Sequence, residues 1–168
     1  MVRTLNDVAP YDWASLLRER VAATSTHAPL GGIEGEGWKL VYNDRPNAFT
    51  QAAEKLFKFA DFSYSLGFTI AEDGKLNDVI VGSPAYQSGI GPGMKLIAAN
   101  GRKWTPEVLH AAIKAAQGTS APIQLIVENG QFFQTYSVPY HDGDKNPHLE
   151  RASGQPDLLG VMLTPLIK

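Results

Sequence analysis

The sequence contains no cysteine among its 168 residues, which excludes disulfide bonds and cysteine-ligated zinc sites. Charged residues are also few, at 19%, and the net charge is only −2, so nothing favours nucleic-acid binding. No apolar run approaches the roughly 20 residues that cross a bilayer. The first residues, MVRTLNDVAPYDW, lack the apolar core of a signal peptide. The composition indicates a globular protein and leaves periplasm and cytoplasm equally open as its compartment.

Two helices and one strand are predicted before residue 60. Helical spacing of apolar residues predicts a helix over 8–23, with Pro10 in its first turn. Alternating apolar residues predict a strand over 38–42. A second helix is predicted over 47–59, with Asn47 as its N-cap.

Short β-rich segments and sharp turns follow from residue 60 to residue 140. The turn dipeptides Asn100-Gly101 and Asn129-Gly130 are typical of hairpins. A helix is predicted after Thr105, because a threonine cap precedes a proline at the first helical position. The predicted order is strand, strand, short helix, strand, longer helix, strand, strand.

Residues 141–168 form a turn-rich tail that ends in an apolar patch, which we expect to pack back on the preceding domain. The patch comprises Leu158, Leu159, Val161, Met162, Leu163, Leu166 and Ile167.

The turn SLGF at residues 65–68 admits three interpretations: a phosphate loop, a carboxylate loop, or a plain start of a strand. The glycine-rich segment GIGPGMK does not complete a phosphate-binding pattern, and Pro92 removes one amide donor from it. The segment that begins at Asp142 does not complete a calcium loop, since Pro147 stands at the glycine position and Ser153 at the glutamate position.

The segment from 62 to 140 resembles a PDZ domain. SLGF is similar to the Gly-Leu-Gly-Phe carboxylate-binding loop of that family, with Ser65 in place of the first glycine. The block VIVGSPAYQSGIGPGMKLIAANGR is similar to the central block of the family, including GSPA, a Gly-Pro-Gly turn and a final Asn-Gly. The resemblance implies an α+β fold: a partly open β-barrel or sandwich with two helices, preceded by a small helical segment with one strand.

The flanking segments resemble the C-terminal third of the glycyl aminopeptidase family of zinc metallopeptidases. They include GWKLVYND before the PDZ-like segment and NPHLER and PDLL after it. That family binds zinc through an H-E-x-x-H helix in its catalytic domain, where two histidines lie one turn apart. Here the histidines are His27, His110, His141 and His148, and no two are four residues apart. We therefore expect no catalytic residue, metal ligand or cofactor in this chain, and zinc only in a catalytic domain outside it.

The resemblance also implies three domain limits. Residues 1–59 would end the helical region that follows the catalytic domain. Residues 60–140 would form the PDZ domain, and residues 141–168 the tail.

The resemblance implies a peptide-binding groove. The amides of Leu66, Gly67 and Phe68 would hold the carboxylate of a peptide C-terminus. Further groove residues would be Thr69 and Ile70 on the paired strand and Pro106, His110 and Ile113 on the facing helix. The last side chain of the peptide would enter a pocket of Leu66, Phe68 and Ile113, and His110 would either select a ligand residue or be a bystander in its helix.

The expected function is that of a non-catalytic module that binds a peptide or protein C-terminus or positions substrate for the catalytic domain. Its partners would be that peptide and the parent catalytic domain, with a homodimer as a further possibility. One alternative is a purely structural or dimerising module with an empty or self-filled groove. Another is a complete regulatory protein, or a protease-associated PDZ of the periplasmic heat-shock type.

Overall fold

The computed structural model describes residues 1–24 and 28–165. His27 and the patch residues Leu166 and Ile167 lie outside the described part. The chain forms two compact units, one of Met1–Trp38 with Arg151–Lys168 and one of Lys39–Glu150. The second unit contains the whole predicted PDZ segment and also the strand and helix before it. The predicted domain limits at residues 60 and 140 remain predictions.

The first unit is mainly helical. Its helices are α1 (Val2–Val8), α2 (Trp13–Ala22), α3 (Gly31–Gly35) and α7 (Leu158–Leu163). The helix predicted over 8–23 corresponds to α2, but its predicted start is wrong, because Ala9, the C-cap of α1, is extended, as expected for a residue before proline. The helix α2 then begins anew, with the Asp12 side chain accepting from the Ser15 amide.

The α7 helix is tied to Trp38 by the Asp157 carboxylate. Asp157 caps α7 at the Gly160 amide and accepts a 2.9 Å hydrogen bond from Trp38 Nε1. The guanidinium of Arg151 lies 5.4 Å from the centre of the Trp38 ring. Val161 and Leu163 of the apolar patch are exposed, and the packing of the tail on the PDZ-like domain remains a prediction.

The second unit carries the β-sheets. Its elements are β1 (Trp38–Asn43, whose first residue belongs to the other unit), α4 (Ala48–Phe57), β2 (Phe59–Asp61), β3 (Phe68–Ala71), β4 (Leu76–Val79), α5 (Pro84–Gln87), β5 (Lys95–Ala99), β6 (Arg102–Lys103), α6 (Pro106–Ala116), β7 (Ile123–Asn129), β8 (Phe132–Val138) and β9 (Asn146–Arg151, whose last residue belongs to the other unit). The strands form three open sheets with the orders β1-β9, β2-β3-β4 and β6-β5-β7-β8.

The fold class predicted from the sequence is confirmed. The described part of the chain is a mixed helix and strand fold with open sheets and no closed barrel. The predicted caps Asn47 and Thr105 accept hydrogen bonds from the amides of Thr50 and Val108. No described helix is both long enough and apolar enough to span a membrane.

One hydrophobic core joins the two larger sheets to α5 and α6. Its largest fully buried side chains are Phe62, Phe68, Leu66, Ile70, Leu76, Ile90, Leu96, Leu109, Ile113, Ile123, Leu125 and Val127.

Candidate functional site

The SLGF loop, residues 65–68, connects β2 to β3 and is shaped by Gly67. Gly67 has φ +89°, a conformation that side chains rarely adopt, and a Cβ atom there would lie 2.0 Å from the Cβ of Ser83. Ser83 is itself fixed, since its hydroxyl accepts from the Tyr86 amide and caps α5. Packing against α5 therefore requires glycine at this position.

The backbone of the loop is already engaged within the protein. The Gly67 amide donates a 2.8 Å hydrogen bond to the Phe62 carbonyl. The Gly67 carbonyl accepts from the Ile80 amide, and the Leu66 carbonyl accepts from the Ala85 amide. Of the three predicted carboxylate donors, Gly67 thus has an internal acceptor.

Strand β3 has a paired neighbour on each side. On one side β2 runs antiparallel to it, with Ala60 opposite Ile70 and Asp61 opposite Thr69. On the other side lies β4, with Leu76 also opposite Ile70. The predicted groove residues Thr69 and Ile70 therefore lie on a central strand, and the edge that a peptide would join is held by β2.

Phe62 fills the space between β3 and α6. Its side chain is only 1% exposed, and its ring centre lies 4.7 Å from that of His110 on α6 and 5.8 Å from that of Phe68. The predicted pocket residues Leu66, Phe68 and Ile113 are buried as completely as Phe62. The structure thus brings these residues together, but around a side chain of the same chain. Strand β2 and the role of Phe62 have no signal in the sequence, because three residues between a helix and a turn are too few for a period-2 pattern.

His110 faces both Phe62 and the segment after β8. Its Nδ1 lies 3.0 Å from Oδ2 of Asp144. The hydrogen bond to Asp144 raises the pKa of His110, and burial opposes this shift. The charges of Asp144, Glu54 and Glu107 raise the pKa further. The structure therefore gives the His110 side chain an internal acidic partner.

Pro106 opens α6 and lines a cleft of about 260 Å³ beside β2. Phe59, Ile70 and Trp104 line the same cleft. Pro106 and Ile70 therefore line one cleft, and the start of β2 forms part of its wall.

Ser65 anchors the segment that follows β8. Its hydroxyl, in a residue 6% exposed, accepts a 3.1 Å hydrogen bond from the Lys145 amide. Beside it, the Tyr140 hydroxyl donates to the Gly143 carbonyl, and burial raises the pKa of Tyr140 to about 12. Ser65 does not have a positive φ, so serine in place of glycine causes no backbone strain in this loop.

The part of the chain that the structure describes contains no cluster of three or more histidine, aspartate or glutamate residues able to hold a metal ion. His110 and His141 make hydrogen bonds to Asp144 and to the Ala116 carbonyl.

Comparison with known proteins bears on the fold. No protein-family model matches the chain, and no curated protein sequence matches it. Among solved structures, an aminopeptidase N family protein from Idiomarina loihiensis matches with a TM-score of 0.57 and 15% identity. The match covers 97% of this chain and 28% of that chain, so this chain spans little more than a quarter of its neighbour. At this identity the likeness concerns the fold alone.

A second solved structure is the HtrA3 PDZ domain bound to a phage-derived ligand. It matches with a TM-score of 0.33 and 16% identity, over 70% of this chain and 95% of that chain.

Proposed function

We propose that this chain is a non-catalytic PDZ-like module of a larger aminopeptidase-type protein, and that its groove is filled by its own strand β2. The observation that carries the proposal is the position of β2 and Phe62. A PDZ ligand adds antiparallel to the strand after the carboxylate loop, with its C-terminal end at that loop. Strand β2 has this direction and leads into the SLGF loop.

Two hydrogen bonds of Phe62, which follows β2, support this proposal. The Phe62 amide donates to the Phe68 carbonyl, and the Phe62 carbonyl accepts from Gly67, an amide predicted to bind the carboxylate. The Phe62 side chain stands where the last side chain of a peptide would enter. Covalent attachment gives this segment a high effective concentration, so a free peptide competes at a disadvantage. The module would then serve to brace or position a neighbouring domain.

Titration with a library of peptides bearing free C-termini tests this proposal. The amide NMR shifts of Gly67 and Phe68 report directly on the loop. We expect neither amide to move at peptide concentrations below millimolar. A saturable shift of both amides at micromolar peptide would reject the self-filled groove.

Peptide binding at Leu66, Gly67 and Phe68 is a second candidate function, favoured by the short length of β2. With only three residues, β2 makes few ladder hydrogen bonds, each worth roughly 1 kcal/mol net. If β2 detached from β3, the groove would be free. The apparent affinity for a peptide would then be reduced in proportion to the fraction of molecules in which β2 is detached. In that case His110, Ile113 and Pro106 would form the facing wall.

Two proline variants of β2 separate the two candidates. The Glu72 amide donates to the Lys58 carbonyl and the Phe62 amide to the Phe68 carbonyl, so alternation points the Ala60 amide at β3. The Asp61 amide instead donates to Glu54 Oε1. A peptide that binds Ala60→Pro at least tenfold more tightly than Asp61→Pro or wild type supports displacement of β2. Equal absence of binding in all three supports the structural role.

We also propose that the larger protein carries a zinc peptidase domain, as the resemblance to the glycyl aminopeptidase family implies. The gene sequence upstream of Met1 tests this part separately. An open reading frame that continues into an H-E-x-x-H motif supports it, whereas an in-frame stop codon before any such motif contradicts it. Neither result bears on β2, so the two parts of the proposal can fail independently.

A further inference from the structure

Strand β8 is an edge strand of unusual composition for its position. It spans seven residues, Phe132–Val138, with the sequence FFQTYSV, and borders the four-stranded sheet β6-β5-β7-β8. It has no charged residue and no proline, and its pairing with β7 is continuous over all seven residues without a bulge. Natural proteins protect free edges with charges, prolines, bulges or short strands. None of these devices is present on β8.

The other edge strands that the structure describes are protected. Strands β2 and β4 are short and carry Asp61 and Asp78, and β6 consists only of Arg102 and Lys103. The two-stranded sheet carries Lys39 on β1 and, on β9, Pro147 and three ionisable residues. The contrast singles out β8 as a strand able to pair with another strand.

The outward hydrogen-bonding groups of β8 follow from the register. Gln124 on β7 lies opposite Ser137, but its amide and carbonyl bond to Asn100 on the side of β5. Gln124 and Ser137 are therefore a non-hydrogen-bonded pair, so the amide and carbonyl of Ser137 point away from β7. By alternation, Phe133 and Thr135 do the same. These three residues present a row of three amides and three carbonyls, centred on Thr135.

We propose that β8 pairs antiparallel with β8 of a second copy of this chain, about a twofold axis at Thr135. Such pairing places Thr135 opposite Thr135 of the second copy, and Phe133 opposite Ser137 of the second copy. All outward amides and carbonyls of the strand are then matched. The two four-stranded sheets become one continuous sheet of eight strands.

The composition of β8 favours a second copy as the partner. In a twofold antiparallel pair a strand meets its own residues, so a charge near the centre would oppose a like charge. Thr135 at the centre is neutral, and the rest of β8 carries no charge that self-pairing could bring against a like charge. Phe132 and Phe133 are 77% and 68% exposed, and the pairing would cover part of both. The proposal involves neither β2 nor β3 and is independent of the proposed function.

Charge exchange at Thr135 tests the proposal, because this residue would face its own copy. We expect wild type to sediment as a dimer in equilibrium ultracentrifugation at micromolar concentration. Thr135→Lys and Thr135→Glu alone should each weaken the dimer at least tenfold, and an equimolar mixture of the two should restore a one-to-one dimer. Thr135→Val, which is neutral and β-branched, is the matched control and should dimerise like wild type.

Two results would overturn the proposal. The first is a wild type that stays monomeric up to millimolar concentration. The partner strand of β8 would then have to come from another protein. The second is a dimer that Thr135→Lys and Thr135→Glu do not weaken. Amide exchange adds a check in wild type: Phe133, Thr135 and Ser137 should exchange at least tenfold more slowly at dimer concentrations than after dilution. Circular dichroism of each variant verifies that its fold is retained.

Discussion

The amide of Gly67 donates a 2.8 Å hydrogen bond to the carbonyl of Phe62, so the loop that resembles a carboxylate-binding site binds its own chain. The Phe62 carbonyl oxygen carries only a partial negative charge, unlike the carboxylate of a peptide. It is nevertheless held in place by the three residue pairs between β2 and β3. The same short segment supplies the pairing strand, the acceptor and the apolar side chain. The loop therefore has a structural role that does not depend on a ligand.

Gly67→Ala should be strongly destabilising. The substitution imposes a side chain at φ +89°, which costs about 1–2 kcal/mol. It also forces the new Cβ against Ser83 at 2.0 Å, and overpacking of this kind costs about 1–3 kcal/mol more. Urea denaturation measures the loss. Gly130→Ala is the control, because Gly130 has φ +63° and open space around it; a loss as small as that of the control would contradict the packing argument.

Stability should fall as the pH rises from neutral, because of His110. Its pKa is raised in the folded protein, chiefly by the hydrogen bond to Asp144, so folding favours the protonated form. This contribution is complete below the unfolded pKa of about 6.5 and is lost as the pH rises through the higher folded value. Urea midpoints measured from pH 5.5 to pH 9 should therefore decline over that window.

Asp144→Asn is the matched variant for this pH dependence. It removes the charged partner while keeping an oxygen near His110 Nδ1, so its urea midpoint should vary less with pH than that of wild type. Glu54 and Glu107 still face His110 in this variant and should leave a small residual slope. If the urea midpoint of the variant varied with pH as much as that of wild type, the His110–Asp144 pair would not be the source of the pH dependence.

The elements that could be predicted from the sequence are those fixed by local chemistry. Helix α6 begins at Pro106 because Thr105 caps it, and β7 and β8 meet at the turn that Asn129-Gly130 predicts. Helix α1 was not predicted, and α2 was predicted to begin five residues too early, at Val8 instead of Trp13. Strand β2 could not be predicted, since its pairing with β3, and not its three residues, makes it a strand.

The candidate site shows the same division. The SLGF pattern places a glycine at the turn before β3, but the packing of Phe62 between β3 and α6 depends on tertiary contacts. The role of Ser65 was equally hidden, because its partner Lys145 lies 80 residues away in the sequence. Sequence patterns report local backbone requirements, and contacts this distant leave no local signature.

Ser65→Ala should destabilise the protein by about 1 kcal/mol, the typical net value of one hydrogen bond. The variant removes the acceptor of the partly buried Lys145 amide without changing the loop backbone. Amide exchange at Lys145 should become faster as well, which links the loss to this contact. Ser153→Ala, at an exposed position, should be nearly neutral. Equal stability of the two variants would mean that Ser65 does not anchor the 140–145 segment.

Lys58→Gly should stabilise the protein by about 0.5–1 kcal/mol. Lys58 ends α4 at φ +53°, where a side chain costs about 1–2 kcal/mol and glycine costs only its greater unfolded-state entropy. The lost ion pair with Glu72 is small, because the two side chains are 74% and 76% exposed and 4.0 Å apart. Lys55→Gly, inside the same helix, should instead destabilise by about 1 kcal/mol. Thermal unfolding of both variants decides the point: opposite shifts identify strain at the α4–β2 junction, whereas losses in both would show that Lys58 is not strained.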